Sequence, residues 1–390
     1  MIPYGKHHLD ESDISSVVEI LRSSHLTQGP TVEIFEKAIA EYVGARYAVA
    51  VSNGTAALHI AALAINPVPE SCFVTSPITF VASANAGRYV GCNILFGDIE
   101  PDTVNLSPEA LKSLFKTNKN IAAVIPVHFG GLPCDMQAIS DISKGGGAKI
   151  IEDAAHALGA SYKNGEKVGS CCYSDMTVFS FHPVKAIACG EGGMVTTNDE
   201  MLYRRMLRIR SHGINKLNDP FVLESQAYTG ESVNPWYYEM QELGFNYRLT
   251  DIQSALGLSQ FKKLDAYMKK RKQLASRYDD VFAKFQNLKP VQMGLRKQSG
   301  NHLYILQVNY PEIGISRAEL MVKLRDRGIG SQVHYIPVPA QPYYRQLGHV
   351  PDRFPNAMEY YSKALTIPLY VDLQKHEQDF VISAFQELVG

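Results

Sequence analysis

Apolar residues Ile14, Val17, Val18 and Leu21 recur every three or four positions, which predicts an amphipathic helix that Asp10 or Ser12 would cap. Phe35, Ile39 and Tyr42 repeat that spacing as far as Gly44, a residue suited to ending a helix. The period then changes. Tyr47 to Val51 is a short apolar run that stops at Asn53-Gly54, and the alanine-rich TAALHIAALAI behind it reads as a helix. CFVTS, NILFGD, IAAVIPV and AKIIED are further strand candidates. Helical stretches separate them, among them SPEALKSLFK, where Ser107 can cap and Pro108 suits the first turn. Strands alternating with helices predict a mainly parallel α/β sheet, with ligand sites in loops beyond the C-terminal strand ends.

Residues 211–249 break this rhythm, being polar and aromatic with few periodic apolar positions. A loop of that length inside a compact chain points to function. A long helical pattern follows from Thr250 to about Phe285, and its lysine cluster KKLDAYMKKRK reads as a solvated face. HLYILQVNY predicts a strand, and SRAELMVKLRDRG a helix with a Ser316/Glu319 capping box and Gly328 at its end. The expected division is a large domain over residues 1–250 and a smaller α+β domain over 251–390, entered by the long helix.

Composition narrows the class. Across 390 residues, 45% hydrophobic content supplies a sizeable core and argues against disorder. Lysine and arginine number 38 against 39 acidic residues, which disfavours a globally basic nucleic-acid binder but leaves room for a local anion site. The histidines show no HExxH pair, and Cys72, Cys92, Cys134, Cys171, Cys172 and Cys189 form no CxxC, so no metal site is expected. The cysteine pattern fits a reducing interior. The start, MIPYGKHHLDESD, leaves no room for a signal-peptide core, and no apolar run reaches the roughly 18–20 residues of a membrane helix. A cytoplasmic protein with no membrane or nucleic-acid partner is the expectation.

Three segments carry candidate chemistry. In MTVFSFHPVKAIACGEGGMVTTN, Lys185 sits in a tight turn between an apolar segment and a glycine-rich one. Burial there would depress its pKa and free the amine as a nucleophile, although an exposed loop lysine fits equally well. In KIIEDAAHALG, Asp153 lies where a buried strand gives way to a loop, with a helix N-cap as the competing reading. His156 follows three residues later, where a packing role competes with a functional one. In AVAVSNGTAALH a strand ends at Ser52-Asn53-Gly54-Thr55 and a helix begins, which makes a phosphate cradle or a plain turn and cap. Taken together, the three describe pyridoxal phosphate (PLP): a lysine for its aldehyde, a carboxylate for its ring nitrogen and a cradle for its phosphate. Cradle, carboxylate and lysine occur in the order of a fold-type I PLP enzyme.

The sequence resembles the DegT/StrS-type sugar-nucleotide aminotransferases over almost its whole length. LTQGP at 26–30, SNGTAALH at 52–59, PITFVASAN at 77–85 and EDAAHALG at 152–159 carry the likeness. SFHPVKAIACGEGG at 180–193, GFNYRLTDIQSALG at 244–257 and QVHYIPV at 332–338 continue it. The resemblance implies a seven-stranded, mainly parallel sheet between helices, plus a smaller C-terminal α+β part. It implies that Lys185 holds PLP covalently and shuttles the proton, and that Asp153 pairs with the ring nitrogen. Phe80 matches a residue stacked on the ring; without the resemblance it would read as an ordinary core phenylalanine. Gly54, Thr55 and Ser180 match phosphate contacts, and His156 stands where many relatives have glutamine. Asn246 matches an asparagine that reaches the neighbouring subunit's phosphate, which implies a homodimer with shared active sites. Dehydratases of the family carry histidine in place of the lysine; with Lys185 present, amino transfer is favoured.

The implied partners are L-glutamate and a nucleotide-diphospho keto sugar, with pyridoxamine 5'-phosphate as the intermediate form of the cofactor. Thr27, Arg210, His212, Lys216, Arg248 and His334 are the candidates for substrate contacts, several of them as local cations. WYYEMQELGFNYRLTDIQSALGLSQFKKLD and QVHYIPVPAQPYY look closest to the PseC-type enzymes, with Pro339 replacing a usual histidine. Those enzymes aminate C4 of UDP-2-acetamido-2,6-dideoxy-β-L-arabino-hexos-4-ulose on the route to pseudaminic acid. Transfer to another UDP- or dTDP-linked 3- or 4-keto sugar is an alternative. A PLP-dependent lyase would need an arginine for the amino acid's α-carboxylate, and none is identified. A PLP-binding regulator would be expected to carry a basic DNA-binding extension, and none is seen.

Overall fold

The computed structural model describes residues 1–216 and 219–389. Asp10 caps helix α1 (Glu11–Arg22): its carboxylate accepts from the Asp13 N–H while Asp13 reaches back to the Asp10 N–H. Helix α2 (Pro30–Val43) begins on a proline and ends at Gly44, whose φ of 81° suits glycine. Strand β1 (Tyr47–Val51) leads to Asn53, whose side chain accepts from the Ala56 N–H at 2.8 Å and starts α3 (Gly54–Ala64). Small residues bury α3 on nearly every side, so it lies close against the sheet.

The alternation continues through β2 (Cys72–Thr75), α4 (Val81–Tyr89), β3 (Asn93–Phe96), α5 (Pro108–Thr117), β4 (Ile121–Ile125) and α6 (Met136–Gly145). It closes with β5 (Lys149–Asp153), β6 (Met176–Ser180), β7 (Gly193–Thr197) and α7 (Glu200–Arg210). Together these strands form a seven-stranded sheet in the order β1-β7-β6-β5-β4-β2-β3, in which β7 runs against its neighbours β1 and β6. The predicted mainly parallel sheet is therefore present, with a hydrophobic cluster on each face. Ile150 belongs to one cluster and Ile151 to the other, as strand alternation requires. Ser107 stands at the N-cap of α5 but makes no capping bond, so Pro108 alone marks that start.

The stretch at 211–249, read as a loop, contains two short ladders. Strand β8 (Ile214–Asn215), helix α8 (Glu224–Ala227) and strands β9 (Tyr228–Thr229), β10 (Ser232–Val233) and β11 (Glu239–Met240) lie in it. β11 pairs with β8 and β10 with β9. The long helix expected from Thr250 is two helices, α9 (Asp251–Phe261) and α10 (Leu264–Phe282). α9 packs on α1 and α2. At the break, Lys263 is drawn to Asp10 and Asp13 at 2.6 and 2.8 Å. Apolar spacing reads through this junction because both halves keep the helical period.

A second, antiparallel sheet joins β12 (Leu288–Pro290), β13 (Tyr304–Val308) and β14 (Ala364–Ile367). Helices α11 (Tyr310–Ile313), α12 (Arg317–Asp326), α13 (Pro342–Gln346), α14 (Pro355–Lys363) and α15 (Lys375–Val389) accompany it. Its core is separate, with Tyr278, Leu306, Leu324 and Phe385 at the centre. The Ser316/Glu319 capping box is formed. Among the described residues, no helix is long and apolar enough to cross a membrane.

Candidate active site

The C-terminal ends of β1, β5 and β6 converge on one cavity of about 1080 Å³. Asp153 is the last residue of β5, and turns follow it, which removes the helix N-cap reading. Its buried carboxylate accepts from the Ser83 hydroxyl at 2.5 Å through Oδ2 and from the Ala155 N–H at 3.1 Å through Oδ1. Lys185 sits in the turn after β6, where its backbone N–H donates to the His182 carbonyl. Its half-buried side chain lines the cavity. Burial lowers its amine from the usual 10.5 to about 8, against the opposing pull of the Asp153 charge. The exposed-loop reading of this lysine does not hold.

The cradle lies at the start of α3. Asn53 satisfies the Ala56 and Ala57 N–H groups, and among the described residues no acceptor meets those of Gly54 and Thr55. A Cβ at Gly54 would sit 2.9 Å from Ser180 Cβ, and one at Gly193 would sit 2.4 Å from the Asn53 carbonyl oxygen. Glycine at these two positions lets the helix start approach the ends of β6 and β7. Phe80, at the N-cap of α4, is 57% exposed on the cavity wall, which excludes a core role.

His156, His302 and His334 line the same cavity, and burial first, then neighbouring charges that include the Lys185 amine, depresses all three. His334 falls to about 3, so it is an uncharged hydrogen-bonding group rather than the expected cation. His156 Nε2 lies 3.3 Å from the Tyr335 hydroxyl, and its buried Nδ1 has no partner among the described residues. The His302 ring stands 4.4 Å from that of His156.

The cavity thus gathers Gly54, Thr55, Phe80, Asp153, His156, Ser180, Lys185 and His334. It does not include the other nominated residues. Arg210, His212, Lys216 and Arg248 line a second cavity of about 880 Å³. Arg210 is committed to an ion pair with Glu36 and to the Ala50 carbonyl, so its role here is to brace β1. Thr27 and Asn246 are exposed and line neither cavity. Sequence reasoning missed Tyr4, Thr79, His302 and Tyr335, all on the cavity wall, and Ser83 beside Asp153. Thr79, Ser83 and Tyr335 lie inside motifs already noted, so their proximity to nominated residues was the available signal.

Residues 7–386 match the model of the DegT/DnrJ/EryC1/StrS aminotransferase family. The chain belongs to that family. It is 39% identical over 391 residues to the spore coat polysaccharide biosynthesis protein SpsC of Bacillus subtilis (strain 168), covering 100% of this chain and 97% of that protein. It is 37% identical over 383 residues to the UDP-4-amino-4,6-dideoxy-N-acetyl-beta-L-altrosamine transaminase of Campylobacter jejuni (strain 81-176), covering 98% and 96% of the two. Helicobacter pylori PseC, an aminotransferase involved in the biosynthesis of pseudoaminic acid, superposes with a TM-score of 0.89 at 31% identity, covering 100% of this chain and 99% of that one.

This sugar aminotransferase depends, like its family, on PLP. The site fits that group: a lysine of lowered pKa lines one cavity with a fixed carboxylate, beside unpaired helix N–H groups and an orphaned imidazole nitrogen. When bound, PLP supplies an aldehyde that joins amines covalently and a ring that takes up negative charge. Lys185 Nζ would hold it and carry a proton, Asp153 would hold the ring nitrogen and the start of α3 the phosphate. Uptake of PLP by cofactor-free protein, followed by absorbance, should quicken with pH and level off past a midpoint near 8, where Lys185 becomes neutral. A midpoint at an ordinary lysine value of about 10 would show that the amine is not desolvated.

Proposed function

We propose that this aminotransferase moves an amino group from L-glutamate to the C4 keto carbon of UDP-2-acetamido-2,6-dideoxy-β-L-arabino-hexos-4-ulose, a step toward pseudaminic acid, in the cytoplasm. The observation that carries the amino-transfer chemistry is Lys185, with its lowered pKa, in one cavity with Asp153. The choice of sugar is supported by the named activity of the Campylobacter relative and by the likeness to PseC. SpsC, at 39% identity, supports a second reading, transfer to a different nucleotide-linked keto sugar. Incubation with glutamate and a panel of UDP- and dTDP-linked keto sugars, with products read by mass spectrometry, decides between them. Deuterium exchange into glutamate with no aminated sugar from any acceptor would overturn both.

We further propose that two copies share their sites. Among the described residues lining the main cavity, Lys185 is the sole lysine and there is no arginine, while Asp153 and Glu191 add negative charge. A phosphate, a diphosphate and a dicarboxylate need more cations than that. Lys216 and Arg248 stand on the second cavity, and Asn246, two residues before Arg248, is exposed, so a partner copy is the natural source. Loss of one hydrogen bond to a charged phosphate predicts that Asn246→Ala weakens PLP binding about 10- to 100-fold, measured by fluorescence titration. At a PLP concentration well below the Asn246→Ala Kd, where neither parent is active, mixed Lys185→Ala and Asn246→Ala subunits should regain about a quarter of wild-type activity, because half the dimers then hold one intact site. Mixtures no more active than their parents would place Asn246 in its own chain's site.

A further inference from the structure

The turn after β2 and the first turn of α4 place Thr79 and Ser83 four residues apart, so their hydroxyls meet at 2.7 Å. Both are buried, 2% and 1% exposed. Serines near a helix start ordinarily bond to the local backbone. Here the Ser83 contact with the Phe80 carbonyl is long, at 3.4 Å, and the short bond runs 2.5 Å to Asp153 Oδ2. A hydroxyl has one proton. With Ser83 donating to Asp153, its oxygen accepts from Thr79, and the chain runs Thr79 to Ser83 to Asp153.

On the other oxygen, the Ala155 N–H donates to Oδ1. One donor on each oxygen leaves the carboxylate a single orientation, with unused lone pairs toward the cavity that Asp153 and Thr79 both line. We propose that Thr79 and Ser83 are positioning residues: their hydroxyl relay aims Asp153 and sets how firmly it holds the protonated ring nitrogen of PLP. The inference rests on the amino-transfer reading of Lys185 and Asp153.

The test compares wild type with Ser83→Ala, Thr79→Val and Thr79→Ser as holoenzymes. For Ser83→Ala we expect the PLP Kd to rise about tenfold and kcat to fall about tenfold, with KM for glutamate within about twofold. The pH midpoint of the bound cofactor's colour change should move by about half a pH unit, because the ring nitrogen's partner has lost its aim. Thr79→Val should shift the same quantities less, and Thr79→Ser, which keeps the hydroxyl, should recover most of that loss.

A Ser83→Ala protein with wild-type kcat and colour midpoint at saturating PLP would overturn the relay, even with a lower Tm. Should Ser83→Ala fail to fold, Thr79→Val decides on the same readouts, and identity with wild type overturns the proposal. The reading beneath it fails separately: were the wild type to bind PLP without transferring amino groups, Kd and colour midpoint would still decide on the relay.

Discussion

Lys185→Ala will show no turnover above about one part in 10⁴ of wild type while remaining folded. Proton transfer by a well-placed side chain is worth about 10²- to 10⁴-fold by itself, and on the proposed function this residue would also supply the amine that captures the aldehyde. Nothing nearby replaces it. The neighbouring bases are His156, His302 and His334, which are uncharged and buried and cannot hold an aldehyde as a primary amine does. Among the described residues on the cavity wall there is no second lysine. The fold should not suffer, because the substitution removes an amine whose charged form is penalised by desolvation. Cofactor-free Lys185→Ala is therefore expected to melt no lower than cofactor-free wild type, measured by circular dichroism. Turnover within about tenfold of wild type would remove this amine from the chemistry.

That prediction was open to the sequence, and the reason is local. Lys185, Asp153 and the Asn53-Gly54-Thr55 turn each sit within a few residues of a strand end that apolar runs reveal. In a mainly parallel sheet such ends share an edge, so the convergence of the three segments follows from strand direction. Arg210 shows the limit of that reasoning. Its place at the edge of the 211–249 stretch suggested a free cation, but its carboxylate partner, Glu36, lies 174 residues away and only the tertiary fold pairs them. His334 misled for another reason: its motif gives its place on the cavity wall but not the burial that strips its charge. His302 and Tyr335 reach the cavity from the part of the chain that carries the second sheet, so no spacing within the first 250 residues could nominate them. The break between α9 and α10 was invisible because the apolar spacing runs through it, and the contacts of Lys263 with Asp10 and Asp13 at that point form only across the fold.

The same distance effect hid a buried network on the reverse face of β5. Strand alternation turns Asp153 to the cavity and Glu152 away from it, and Glu152 is 0% exposed. Four groups donate to its carboxylate: His128 Nε2 at 2.7 Å, Tyr162 OH at 2.7 Å, Ser174 Oγ at 2.5 Å and Thr177 Oγ1 at 3.1 Å. His128 Nδ1 accepts from the Cys134 N–H at 3.2 Å, which leaves the Nε2 proton to point at Glu152. Burial raises the Glu152 pKa, but these donors, His128 foremost, outweigh it and hold the net value below the usual 4.5. The backbone completes the clamp, since the His128 N–H donates to the Asp153 carbonyl at 3.0 Å.

Glu152→Ala would strand all four donors in a closed interior. Breaking a buried charged network by removing one partner costs about 3–5 kcal/mol, and we expect cofactor-free Glu152→Ala to lose about 5 °C or more in apparent Tm. Because the folded pKa is lowered, the network's contribution is complete above about pH 4.5 and is lost as pH falls through the folded value. The Tm gap between wild type and variant should accordingly shrink on acidification and hold steady from neutral pH upward. A gap below about 1 °C at neutral pH, or one that widens in acid, would show that Glu152 does not anchor the strand that presents Asp153.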